Sequence, residues 1–109
     1  MMTPSEEAKI FPTELLGKAE RSAESEELFW PPDDALAAID ALERGGKFVL
    51  GLDFFEKEGD TMRVLGYPNF EEQSKGPGRV EDSCRLAREY IRSRHAGPKH
   101  RFSITWDEA

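Results

Sequence analysis

The sequence predicts a small α+β domain, a mainly antiparallel sheet of three or more strands packed against two or more helices. Three observations predict it. Apolar residues recur at helical spacing over 33–44 and 80–94, strand-like apolar runs occupy 47–56 and 101–106, and Glu58-Gly59-Asp60 joins the first of these runs to a returning strand. A chain of 109 residues fits one domain with one core, taken as residues 1–109.

The elements follow in order. Thr3-Pro4-Ser5-Glu6 has the form of a helix start, with a Thr cap, Pro in the first turn and Glu three residues after the cap. That helix ends near Ile10, because Pro12 disfavours helix at the residue before it. A short helix over Pro12–Glu20 buries Leu15, Leu16 and Ala19, and residues 21–27 read as a solvated loop. The first 30 residues are thus expected to be a loosely ordered helical extension. Phe29-Trp30-Pro31-Pro32 leads into a helix over Asp33–Arg44, with Ala35, Leu36, Ile39 and Leu42 on one face and Gly45-Gly46 as its stop.

Lys47–Glu56 reads as a strand apolar on both faces, with Phe48, Leu50, Leu52 and Phe54 on one side and Val49, Gly51, Asp53 and Phe55 on the other. Thr61–Tyr67 returns beside it. Gly66–Gly78 is then a long irregular loop, of the kind that is functional or mobile. Val80–Arg94 is a helix with Val80, Cys84, Ala87 and Ile91 inward, an expected Glu81–Arg85 ion pair, and an outer ridge of Arg85, Arg88 and Arg92. Arg101–Trp106 closes the chain, with Phe102, Ile104 and Trp106 inward and Ser103 and Thr105 outward.

The net charge is −7, carried by the front of the chain: residues 1–60 hold 15 acids and 6 bases, residues 61–109 hold 7 acids and 9 bases. An acidic front argues against nucleic acid, which needs a basic footprint, and suits a basic protein partner or plain solubility. The segment Met1–Glu7 lacks the basic and apolar regions of a secretory signal, and no apolar run nears the ~20 residues that span a bilayer. A cytoplasmic location without membrane contact is expected. Cys84 is the one cysteine, which excludes a disulfide framework and a cysteine zinc site.

Chemistry is sparse. His95 and His100 flank a turn without a third ligand nearby, Cys84 lies on the inner stripe of its helix, and no serine has a nucleophile-elbow context. No cofactor or metal is expected, and the chain does not read as an enzyme. Asp53 interrupts an apolar strand, where an unpaired buried carboxylate is costly. Two readings stay open: it accepts backbone N–H groups from the loop around Tyr67–Phe70 or from a helix start, or it joins an exposed acidic rim with Glu56, Glu58 and Asp60. Trp30 is likewise either a lid over the core or an exposed anchor.

The helix "ALAAIDAL", the strand "FVLGLDFF", a hairpin ending near "YPNF", the helix with "AREYI" and the last strand "RFSITW" follow one another in an order that resembles the immunity protein 40 family of bacterial polymorphic-toxin systems. The resemblance covers about Ala35–Trp106 and rests on Gly51, Asp53, Asn69, Ser83, Ala87, Tyr90 and Ile91. Leu52 stands where the family has a second Gly, and Phe70 where it has Trp. The resemblance implies a protein that binds a cognate toxin domain, such as a basic nuclease, and blocks it without catalysis. The expected contact surface is Glu24, Glu26 and Glu27, Asp33 and Asp34 at the helix start, Asp53, and Glu56, Glu58 and Asp60 at the hairpin, with Trp30 and Tyr67 as apolar anchors. The alternative from another class is a small-molecule or peptide sensor, with the Gly66–Gly78 loop folding over a pocket beside Asp53.

Overall fold

The computed structural model of the protein describes residues 4–22, 24 and 27–109, with side chains from Glu7 onward. Thr3 and the Glu6 side chain, expected to cap the first helix, lie outside the described residues. The fold is α+β, as predicted. In chain order it runs α1 (Pro4–Ile10), α2 (Thr13–Leu16), β1 (Glu20–Arg21), β2 (Leu28–Phe29), α3 (Pro32–Arg44), β3 (Lys47–Glu58), β4 (Thr61–Gly66), a 3-10 turn (Glu72–Ser74), α4 (Arg79–Ser93) and β5 (His100–Glu108). β3 is central in an antiparallel sheet of order β4-β3-β5, and β1 and β2 form a separate two-stranded ribbon.

α3 and α4 cover one face of the sheet because both present small and aliphatic residues at helical spacing. Ala35, Ala38, Ile39 and Leu42 meet Cys84, Ala87 and Ile91 over Val49, Leu52, Phe54 and Phe102, all nearly free of solvent. Phe54 stacks on Phe102 with ring centroids 4.8 Å apart. Between the helices, Arg88 reaches Asp40 at 3.1 Å and Glu43 at 2.8 Å. The expected Glu81–Arg85 pair is replaced by Arg85 contacts with Asp82 and Glu89.

The strict alternation expected along β3 fails at one point. The pairing with β5 steps from Val49–Trp106 to Gly51–Thr105, so Leu50 is an extra residue and a β-bulge. The bulge moves Val49 to the helix side, with Leu52 and Phe54, rather than to the side of Asp53 and Phe55. On the β4 side of β3 the ladder is completed in pieces. β4 pairs with Phe54–Glu58, and residues 68–70 then run along Leu50–Leu52, with Leu52 N–H donating to Pro68 O at 3.1 Å and Phe70 N–H to Leu50 O at 2.8 Å. Gly51 is required there: a Cβ would stand 2.9 Å from Pro68 O. Beyond this segment two buried serines finish the edge. Val49 N–H donates to Ser83 Oγ at 2.9 Å, and Ser74 Oγ lies 2.9 Å from Val49 O.

Two expectations for loops are corrected by this arrangement. The 66–78 segment is pinned to β3 rather than free, because its backbone completes that strand's hydrogen bonding. The first 30 residues are not a loose extension where they are described. Phe11 and Leu15 enter the core, Phe11 rests on Trp30 at 5.3 Å, and the buried Glu7 takes a two-pronged bond from Arg21 at 3.1 and 2.6 Å. Arg21, at the start of the expected solvated loop, belongs to β1, which pairs with β2 just beyond that loop, and Ser103, expected outward, is buried.

Ser83→Ala strips the partner from a buried N–H and is expected to cost about 1–3 kcal/mol. Urea unfolding should show a lower midpoint with an unchanged slope; an unmoved midpoint would remove Ser83 from the account of β3. His95 ends α4 with φ of 50°, a conformation strained for any residue but glycine. Replacing it, His95→Gly, should raise the melting temperature by a few degrees.

Candidate protein-docking surface

β4 lies at the open side of the sheet with β3 as its one strand neighbour. Its register steps from Phe55–Val64 to Phe54–Gly66, which leaves Leu65 as an extra residue in a second bulge. Two apolar residues in succession thereby reach solvent: Val64 is 53% exposed and Leu65 41%, followed by Tyr67 at 77%. These three are the exposed large hydrophobic residues among those described, and they fall within four positions.

The backbone that displays them is held firmly. The Tyr90 hydroxyl lies against Gly66, so a side chain at 66 would have to push the tip of that tyrosine aside. Pro68 O accepts the Leu52 N–H, and Asn69 Oδ1 accepts the Glu71 N–H at 2.7 Å. Tyr67 projects from a frame fixed on both sides. Such fixing lowers the ordering entropy that a contact residue loses on binding. Between residues 53 and 75 six acids stand against three bases.

The expected site residues separate on this frame. Tyr67 is exposed, as an anchor must be. Trp30 is not an anchor: it is 2% exposed, and its backbone exchanges two bonds with Phe102, at 2.7 and 2.8 Å. Its indole fills the core because the bridge to β5 turns it toward the helices. Glu56 and Glu58 form no free acidic rim, since Arg63 pairs with Glu56 at 2.5 Å and lies 3.4 Å from Glu58. Asp60 is exposed at the hairpin tip. Glu24 and Asp33 are exposed, Asp34 lies 3.8 Å from Lys18, and Glu26 is outside the described residues. Glu27 is half-buried and accepts a bond from Ser103 Oγ at 2.5 Å. The ten described positions therefore do not share one surface. Val64 and Leu65 were missed; the signal available was two consecutive apolar residues in a short return strand, where clean alternation would hide one.

Asp53 pairs across the sheet with Ser103, on the face away from α3 and α4. Among the described residues it accepts no hydrogen bond, so the expected capture of backbone N–H groups from 67–70 does not occur. Of these, the Phe70 N–H serves the edge of β3 instead. Burial pushes the Asp53 carboxyl above its ordinary value of 3.8, and the Glu27 carboxylate adds to the rise. Nearby, burial alone would raise Glu20, but bonds from Lys57 and Arg101 hold its carboxyl below the usual 4.5. Of the seven residues carrying the family resemblance, the other six hold the fold. Gly51 and Asn69 form an isolated bridge, Ser83 binds Val49, and Ala87, Tyr90 and Ile91 pack in or against the core.

The reactive side chains are engaged in structure. Cys84 is fully buried and its thiol is pushed up to about 11, so it packs as a protonated hydrophobe. His100 is not a solvated turn residue: its Nδ1 accepts the Gly97 N–H at 2.8 Å and its ring lies 5.2 Å from Phe54. A cleft of about 590 Å³ opens between α1, α3 and β5, lined by Lys9, Arg44, Lys47 and Trp106 among others. Asp53 does not line it. Lys9 and Arg44 close the last turns of α1 and α3, where a cation complements the helix dipole, and Lys47 is held by Glu108 at 2.9 Å. Among the described residues no three His, Cys, Asp or Glu side chains are placed to hold a metal ion, and no helix is long and apolar enough to cross a membrane. Comparison with known proteins gave no matching family model, no matching curated protein and no matching solved structure.

A carboxyl whose pKa is raised by folding contributes stability that is present below its ordinary value and lost as pH rises through the folded one. Ionised Asp53 therefore weakens the fold at neutral pH. Asp53→Asn should raise the melting temperature at pH 7, with the gain shrinking as the pH is lowered toward ~4. A lower melting temperature at pH 7 would show that the carboxylate has a partner after all.

Proposed function

We propose that this chain is an immunity protein, a binding domain that neutralises a toxin domain made by the same bacterial cell and acts in the cytoplasm without catalysis. The observation that carries the reading is the rigid apolar cluster of Val64, Leu65 and Tyr67, flanked by Glu58, Asp60, Glu71 and Glu72. Aromatic and aliphatic anchors surrounded by charge are the usual make-up of a contact centre. The charge of −7 suits a basic partner such as a nuclease and would speed encounter at low salt. The order of motifs from Ala35 to Trp106 supports the same reading. Because six of its seven marker residues serve the fold, the choice of toxin rests on the exposed cluster and its acids instead.

The test is co-expression of the toxin domain encoded beside this chain. The wild-type chain should restore growth and co-purify with the toxin. Leu65→Ser with Tyr67→Ala should weaken the complex by about a hundredfold or more, as loss of two contact anchors does, while the melting temperature moves by a few degrees at most. Undiminished killing in the presence of abundant soluble protein would end the proposal. Asp60→Lys with Glu71→Lys and Glu72→Lys should slow association at low salt and leave dissociation nearly unchanged.

The cleft lined by Arg44 and Trp106 favours a second reading, a small-molecule sensor. It moves the expected pocket away from Asp53 and the 66–78 segment. A metabolite that raises the melting temperature by several degrees would support it.

A further inference from the structure

We infer that β4 is a strand-addition edge: a basic, extended segment of the partner pairs with its open side and adds a fourth strand to the sheet. The inference rests on the binding role proposed above and specifies how that role is performed.

The two edges of the sheet are treated differently. Along β5, Trp30 exchanges both backbone bonds with Phe102, and Phe29 packs edge-on against Phe55 at 5.2 Å, so β2 and its continuation cover that side around Phe102. Among the described residues β4 has no such cover. Open edges are usually blunted by Pro, by Lys, by an inward charge or by a β-bulge, and β4 carries a bulge at its Leu65 end only. β4 reads Thr-Met-Arg-Val-Leu-Gly, and its single charge, Arg63, is drawn back onto Glu56 and Glu58. The bulge at Leu65 limits pairing to the regular stretch from Thr61 to Val64, roughly 13 Å of strand.

Charge selects the occupant. A second copy of this chain would bring together two molecules of net charge −7, each with Asp60 exposed at the end of this strand. A basic segment meets opposite charge instead. Strand side chains alternate between faces, so the segment that fits alternates basic residues with apolar ones, the apolar side lying beside Val64.

Amide hydrogen exchange tests this with two synthetic peptides, (Lys-Val)4 and (Glu-Val)4. Saturating (Lys-Val)4 should slow exchange at the outward-facing amides of Thr61–Val64 by about tenfold, and (Glu-Val)4 should not. Val64→Lys should abolish the slowing while its melting curve stays two-state. The inference is overturned if (Lys-Val)4 leaves these amides unchanged, if (Glu-Val)4 protects them equally, or if they are already protected in a dimer detected by sedimentation. Failure here is separable from failure of the neutralising role. Restored growth with an unresponsive β4 rejects strand addition alone, and a responsive β4 with undiminished killing rejects neutralisation alone.

Discussion

Val49 is wholly buried in the central strand, at a point where neither β4 nor the segment that extends it can reach its backbone. A buried peptide group left without partners costs free energy comparable to the hydrogen bonds it lacks. Ser83 of α4 and Ser74 of the 3-10 turn meet its two polar atoms. Those two contacts tie α4 and the 66–78 segment to β3 at the same residue. With α4 so placed, the Tyr90 hydroxyl lies against Gly66. Leu65 reaches solvent at the register shift between β3 and β4. The apolar cluster thus follows along the same edge of β3 that the two serines complete.

The charges divide into those that bind the fold and those that face solvent. Glu7–Arg21, Glu20 with Lys57 and Arg101, and Arg88 with Asp40 and Glu43 join separate elements. Each holds at least one partly buried group, where screening is weak and geometry is fixed. Asp60 at the hairpin tip, and Glu71 and Glu72 beyond the segment that extends β4, are exposed. A single sheet therefore has one edge covered around Phe102 by its own N-terminal segment and, among the described residues, one edge without a strand partner. Asp53 stands on the face between them, raised by burial and by Glu27, at some expense to the stability of the fold.

The amino-acid sequence by itself determined the class of fold, the helices α3 and α4, the β3–β4 hairpin and the alternation of β5. These elements are specified by neighbours three, four or two residues apart, so their existence and type can be read locally. It also marked Cys84 as buried and Tyr67 as a candidate contact. Only the tertiary structure decided the side on which Val49 packs, because a one-residue bulge inverts alternation and depends on the strand opposite. The burial of Trp30, the pairing of Glu56 and Glu58 with Arg63, and the engagement of the first 30 residues were decided there too. In each case the deciding partner is distant or on another strand: Phe102 for Trp30, the returning strand for the two glutamates, and the core for Phe11 and Leu15. Local spacing carries no information about contacts that chain folding alone brings together.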